Sequence, residues 1–267
     1  MRVTVLGCGG SSGVPMIGND WGDCDPGDAR NRRSRPSVLV ETAGLSILID
    51  TSPDMREQLI SNRIRRIDAV LWTHGHADHT HGIDDLRGIN IAQGRSLDGY
   101  ADSGTLASLR QRFGYVFEPL RFGAANFYKP HVIPHEIAGT FSIGPVRILP
   151  IEQDHGFSRS LGFRIGPFAY STDVVRLDDA ALAALEGIDT WIVDCVRVAP
   201  EHPVHAHLPV TLGWIERIRP RRAYLTHMNQ TMDYDSVTAL LPDGVLPAHD
   251  GLVFDVPERN PPSAWTS

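Results

Sequence analysis

At 267 residues, 42% of them hydrophobic and 21% charged, the chain is long enough to bury a large core and has the composition of an ordinary soluble globular protein. A formal net charge of -7, from 25 basic and 32 acidic residues, excludes bulk electrostatic attraction to nucleic acid and leaves room only for a local basic patch. Three cysteines, at 8, 24 and 195, are too scattered for a disulfide framework, and no apolar run reaches the ~18 to 20 residues that cross a bilayer, so a cytoplasmic protein is expected.

Residues 2–6 read as a strand that runs straight into glycines, unlike a secretory leader. The next stretch, Gly7-Cys8-Gly9-Gly10-Ser11-Ser12-Gly13-Val14-Pro15, exposes backbone N–H groups with little steric bulk. Such a loop can hold a substrate phosphate around Ser11 and Ser12; a plain turn is the alternative. Residues 16–34 are polar and aperiodic, a surface loop, and its Arg32 and Arg33, with Arg35, can grip a phosphate through bidentate contacts. Strands at 37–41 and 46–50 flank Ala43-Gly44, and Asp50 ends the second. Pro53 opens a helix to about residue 62, with Asp54 and Glu57 in the turn where the helix dipole favours acids.

The apolar run 67–72 then delivers Thr73-His74-Gly75-His76-Ala77-Asp78-His79, with Gly82 closing it. Three imidazoles and a carboxylate at this spacing cannot all reach one small ion without strain, but they can reach two. His74 and His76 suit one metal, Asp78 and His79 its neighbour, a mixture that zinc, iron and manganese accept. Farther on, 83–92 is short helical or irregular, 103–113 a helix capped by Ser103, and 115–135 an aromatic-rich stretch that reads as a pocket wall or subunit contact. The aromatics from 113 to 128 point to a homodimer.

Hairpins at 141–151 and 162–171 leave His155 and Asp173 just past their second strands. A helix at 177–185, a strand at 190–193 ending at Asp194, the loop His202-Pro203-Val204-His205-Ala206-His207, a helix at 209–218 and a strand at 223–226 ending at His227 complete the order. One domain over 1–257 with a flexible tail at 258–267 is expected. An apolar strand followed by a metal-type residue recurs at 50, 74–79, 155, 173 and 227, which implies strands converging on one edge of an α/β sandwich.

His-x-His-x-Asp-His followed by x-x-Gly resembles the signature of the metallo-β-lactamase superfamily, whose fold is a four-layer αββα sandwich with the metal site at one edge of the two central sheets. The resemblance assigns His74, His76 and His155 to one divalent ion, Asp78, His79 and His227 to a second, and Asp173 as the carboxylate shared by both. Asp50 resembles that family's orienting carboxylate, which holds the metal loop without ligating. Two ions, zinc or manganese or iron, would share a water of lowered pKa that attacks the substrate, with Asp78 and Asp173 in the catalytic centre.

Within the superfamily the chain looks most like the phosphoribosyl 1,2-cyclic phosphate phosphodiesterase group, on the glycine loop, Arg30-Asn31-Arg32-Arg33, Phe113-Gly114-Tyr115, Tyr170-Ser171-Thr172-Asp173, His202-Pro203-Val204-His205 and Leu225-Thr226-His227. This implies cleavage of a phosphodiester in a small phosphorylated substrate, a cyclic phosphate or nucleotide, with His205 as substrate-side general acid. Those enzymes carry a Cys-rich structural zinc in the first long loop. Here Trp21-Gly22-Asp23-Cys24-Asp25-Pro26-Gly27-Asp28 keeps one Cys, and Gln230 stands where a completing His would, so no thiolate zinc is expected. The other readings are a tRNA 3′-processing nuclease, a thioester hydrolase of the glyoxalase II type, and a metal-stabilised binding protein without turnover.

Overall fold

The computed structural model describes residues 1–121 and 127–257; the expected tail at 258–267 and part of the aromatic stretch lie outside them. Period-two alternation in the N-terminal strands sorts their side chains onto two faces. β1 (Arg2–Gly7), β2 (Ser37–Thr42), β3 (Leu45–Ile49) and β4 (Ala69–Leu71) send Val3, Val5, Val38, Val40, Ile47, Ile49 and Leu71 into one buried cluster, and Leu6, Leu39, Leu48 and Val70 into another. The second cluster is completed by α1 (Met55–Ser61), α3 (Leu86–Gln93) and α4 (Ser103–Phe117), through Met55, Leu86, Leu106 and Leu109. Between α1 and α3 lies α2 (Ala77–Thr80), one turn long, which carries the second half of the histidine motif.

β5 (Leu97–Ala101) and β6 (Val132–Glu136) extend this sheet, and a late strand joins its other edge. The second sheet is built from β7 (Phe141–Ile143), β8 (Val146–His155), β9 (Ser158–Ile165), β10 (Phe168–Ser171), β11 (Thr190–Asp194), β12 (Arg222–Thr226) and β13 (Val245–Pro247). Its inner face, with Ile148, Phe163 and Tyr170, shares the first cluster, as do Leu182 and Leu185 of α5 (Asp179–Leu185) and Ile215 of α6 (Leu208–Ile218). After α7 (Tyr234–Thr238), β14 (Val253–Asp255) returns to pair with β1. The result is two seven-stranded sheets with helices outside, an αββα sandwich, in the orders β14-β1-β2-β3-β4-β5-β6 and β13-β12-β11-β10-β9-β8-β7.

β3 to β6 run parallel, as do β10 to β13. In parallel sheets the carboxyl ends of the strands are where ligands bind, because loops there converge on a crevice. Asp50, Thr73, Asp173, Asp194 and His227 all sit at those ends.

Several elements differ from the sequence reading. Asp102, not Ser103, caps α4: its side chain accepts from Thr105 N at 2.9 Å. α4 continues to Phe117 across a non-helical residue, Phe113 (φ -130, ψ 34). β5, β6, β13, β14 and α7 were not anticipated: all are short, and β5, β6 and β13 contain Gly or Pro. Gly99 in β5 marks a close approach: a Cβ there would lie 2.5 Å from both Trp72 and Val132. Among the described residues no helix is long and apolar enough to cross a membrane.

Candidate metal centre

Three residues at the strand ends turn left-handed at once: Asp50 (φ 64), Asp173 (φ 55) and His227 (φ 61). A non-glycine residue in such a conformation costs on the order of 1–3 kcal/mol, and strain of this kind gathers at functional sites. Asp50, with no exposure, organises the motif loop. It accepts from Thr73 N and Thr73 Oγ1, both at 2.8 Å, and from His79 Nδ1 at 2.7 Å. Gly82 lets this crossing happen, because a Cβ there would overlap Ser52 O at 1.9 Å. Thr51 N donates to His79 O (2.8 Å) and Gly82 N to Thr51 O (3.0 Å), which sews the two segments together.

The outer contacts fix which imidazole nitrogen faces inward. His79 is turned by Asp50, His74 by Thr73 Oγ1 on its Nδ1 (3.0 Å), and His155 by Val204 O on its Nδ1 (2.7 Å). Their Nε2 atoms then converge on Asp173. Asp173 Oδ1 lies 3.8 Å from His74 Nε2 and 3.6 Å from His155 Nε2; Oδ2 lies 3.0 Å from His79 Nε2 and 3.4 Å from His227 Nε2. Asp78 Oδ2 is 3.4 Å from both His79 and His227, and His76 Nδ1 is 3.4 Å from His155 Nε2. Two of the three histidine–carboxylate groups among the described residues, His74-His76-His155-Asp173 and Asp78-His79-Asp173-His227, share one carboxylate; the third is Asp194-His205-His227.

These groups fit divalent cations. His74 Nε2 and His79 Nε2 are buried with no hydrogen-bond partner, even though carboxylate oxygens face them. Asp50, Asp78, Asp173 and Asp194 are buried and find only histidines as ionic partners among the described residues. Burial alone would raise the Asp173 carboxyl, but His227, His79 and His74 outweigh it and hold it well below the usual range. Burial pushes His74 well down, and also His155. Burial would lower His227 too, yet Asp173 and Asp78 raise it to about 9, and His79 is likewise raised by Asp173, Asp78 and Asp50. The protons held on His79 and His227 supply positive charge that bound ions would replace, so binding should release protons.

His205 stands beside this centre. Its ring stacks on His227 at 4.4 Å, its Nε2 is 3.9 Å from Asp173 Oδ1, and its Nδ1 is 3.1 Å from Asp194 Oδ2. Asp194 also accepts from Val174 N at 2.9 Å, which ties the His205 partner to the Asp173 turn.

A model of the Beta-lactamase superfamily domain matches residues 46–228. The chain belongs to the beta-lactamase superfamily. Among solved structures it is similar to a diphosphatase from the PhnP family, 34% identical, with a TM-score of 0.87 over 96% of this chain and 98% of that one. It is also similar to Coenzyme PQQ synthesis protein B of Methylorubrum extorquens, 34% identical over 309 residues, covering 96% of this chain and all (100%) of that relative. An Octanoyltransferase of Porphyromonas gingivalis is 32% identical over 261 residues, 97% of this chain. The chain spans about half (52%) of that last relative's length.

Other residues singled out in this superfamily member fall differently. Arg33 is a correction: it is 1% exposed and its guanidinium donates to Met232 O (2.5 Å), Asn31 Oδ1 (3.1 Å) and Asn229 O (3.4 Å), so it cannot reach a substrate. Arg35 is paired with Asp54 at 2.5 Å, and Arg32 is exposed. Cys24 Sγ faces Arg33 Nη1 at 3.9 Å. Ser11 and Ser12 form an exposed turn closed by Gly13 N to Gly10 O (2.8 Å), and the loop runs against the ligand set: a Cβ on Gly10 would lie 3.6 Å from His227 Nδ1. His202 lies 5.0 Å from His205 ring to ring, while His207 is the N-cap residue of α6 and enters no histidine–carboxylate cluster among the described residues. Asp194 was given no role from sequence. Its position at a strand end was the same signal that marked Asp50.

Proposed function

We propose that this chain is a hydrolase of phosphoester bonds in small phosphorylated molecules, a cyclic phosphate or nucleotide foremost, working with two divalent ions. The observation that carries this is Asp173, whose two oxygens face two different sets of imidazoles. A structural ion would be closed by four protein ligands and would need no shared carboxylate. His74, His76 and His155 would hold one ion, Asp78, His79 and His227 the other, with Asp173 between. When bound, the ions supply a solvent nucleophile at neutral pH and neutralise charge developing on substrate oxygens.

The protein groups do the rest. Asp50 and Thr73 hold the motif loop. His205, with Nδ1 on Asp194, presents Nε2 toward the space above Asp173 and protonates the leaving alkoxide there. The exposed turn at Ser11 and Ser12 borders the His227 side and contributes to phosphate binding. The solved diphosphatase at 34% identity is consistent with chemistry at phosphorus.

The test is purified protein loaded with Mn²⁺ or Zn²⁺ and offered bis-p-nitrophenyl phosphate, a 2′,3′-cyclic nucleotide, a diphosphate diester and a lactoyl thioester. Turnover of one or more phosphorus substrates is expected. Turnover of the thioester alone would overturn the reading.

A further inference from the structure

We infer that Arg112, on a helix that supplies none of the candidate ligands, is the positioning residue that holds the two halves of the metal motif in register. The inference rests on the metal-centre reading above. It starts from Gly75, between His74 and His76. A Cβ at Gly75 would lie 3.2 Å from Ser108 Oγ and 3.4 Å from Arg112 Nη2, so the glycine lets α4 close onto the turn between the two histidines. Ser108 and Arg112 are one helical turn apart and face that turn together.

Arg112 Nη2 donates to Gly75 O at 2.5 Å and to Ser108 Oγ at 3.1 Å, while Nη1 reaches Thr80 Oγ1 at 3.4 Å and His81 Nε2 at 3.3 Å. Thr80 Oγ1 in turn donates to His76 O at 2.8 Å. One planar guanidinium thus clamps the carbonyl between the first pair of histidines and the helix turn that carries Asp78 and His79. Lysine could not reproduce this fork, because an ammonium lacks the fixed separation of the two Nη groups. The backbone leaves helical geometry at Phe113, the residue after Arg112.

Groups that orient metal ligands without touching the ion set affinity within about 10- to 100-fold. The test compares wild type, Arg112→Ala and Arg112→Lys by chelator competition with Zn²⁺ alone, together with the melting temperature of each metal-free protein. Expected are binding weaker by at least about tenfold in both variants and metal-free melting temperatures close to wild type. Arg112→Ala binding Zn²⁺ as tightly as wild type would overturn the inference while leaving the hydrolase reading intact. So would a fall in metal-free melting temperature that Arg112→Lys restores together with affinity, because that pattern is ordinary helix stability. Absence of Zn²⁺ binding by wild type would remove both.

Discussion

Two buried polar clusters lie near each other around the segment that begins at His227, and they are built on opposite principles. In the metal centre, imidazole nitrogens and carboxylate oxygens converge, and His74 Nε2 and His79 Nε2 are left without hydrogen-bond partners. In the clasp between the first loop and residues 229–235, the Arg33 cation is surrounded by acceptors, and Asn31, itself bonded to Asp233 Oδ2 at 2.7 Å, relays to an acid; among the described residues Arg33 Nε finds no partner there. Orphaned nitrogens converging on one carboxylate mark a place that suits a cation. Satisfied ones mark a weld. On that contrast the arginine read from sequence as a phosphate ligand is a structural group, and the histidines are the groups proposed to hold ions.

The largest effect that would sharpen this contrast is at Asp173. Asp173→Asn is expected to lower kcat/KM by about 10³-fold or more, since a metal ion contributes several kcal/mol of transition-state stabilisation. Metal-free thermal stability should fall only modestly: His79 and His227 lose the carboxylate that holds their protons, but Asn tolerates the left-handed backbone at position 173 better than most residues. A stability loss as large as that of a core substitution would break the comparison. Arg33→Ala should do the reverse: destabilise by roughly 3 kcal/mol in denaturant unfolding, because buried carbonyls lose their donor, while kcat per folded molecule changes only a few-fold.

How much of this was legible in sequence follows from the same contrast. The motif from His74 to His79 could be read because its ligands are contiguous and follow a buried strand; Asp50 ends a strand, and His155, Asp173 and His227 were assigned because their order past strand ends resembles that of the metallo-β-lactamase superfamily. Arg33 could not be judged, since its fate depends on Met232 and Asn229, about two hundred positions away in sequence. The strands β5, β6, β13 and β14 went unread because tertiary pairing, not local propensity, makes them.

Smaller effects test the remaining parts. His205→Ala should cost about 10²- to 10⁴-fold on a substrate with an alkoxide leaving group and about tenfold or less on p-nitrophenyl esters, which need no acid. Equal losses on both would assign His205 to binding instead. On the clasp side, Asp250 accepts from Ser34 N (2.7 Å), Ser34 Oγ (2.6 Å) and Cys8 N (3.1 Å), yet burial raises it to about 6. Because the folded form keeps a proton that the unfolded chain loses near pH 4, this group's contribution to stability falls as pH rises from about 4 to about 6. Asp250→Asn should flatten that part of the stability profile measured by denaturant melts; an unchanged slope would place the titration elsewhere.

The central claim is that a single carboxylate joins two ion sites, and the metal content of the protein after equilibration with Zn²⁺ or Mn²⁺ and removal of excess tests it most directly. Two ions per chain are expected in the wild type and no more than one in Asp173→Asn. One ion in the wild type, or two retained without the Asp173 carboxylate, would contradict it.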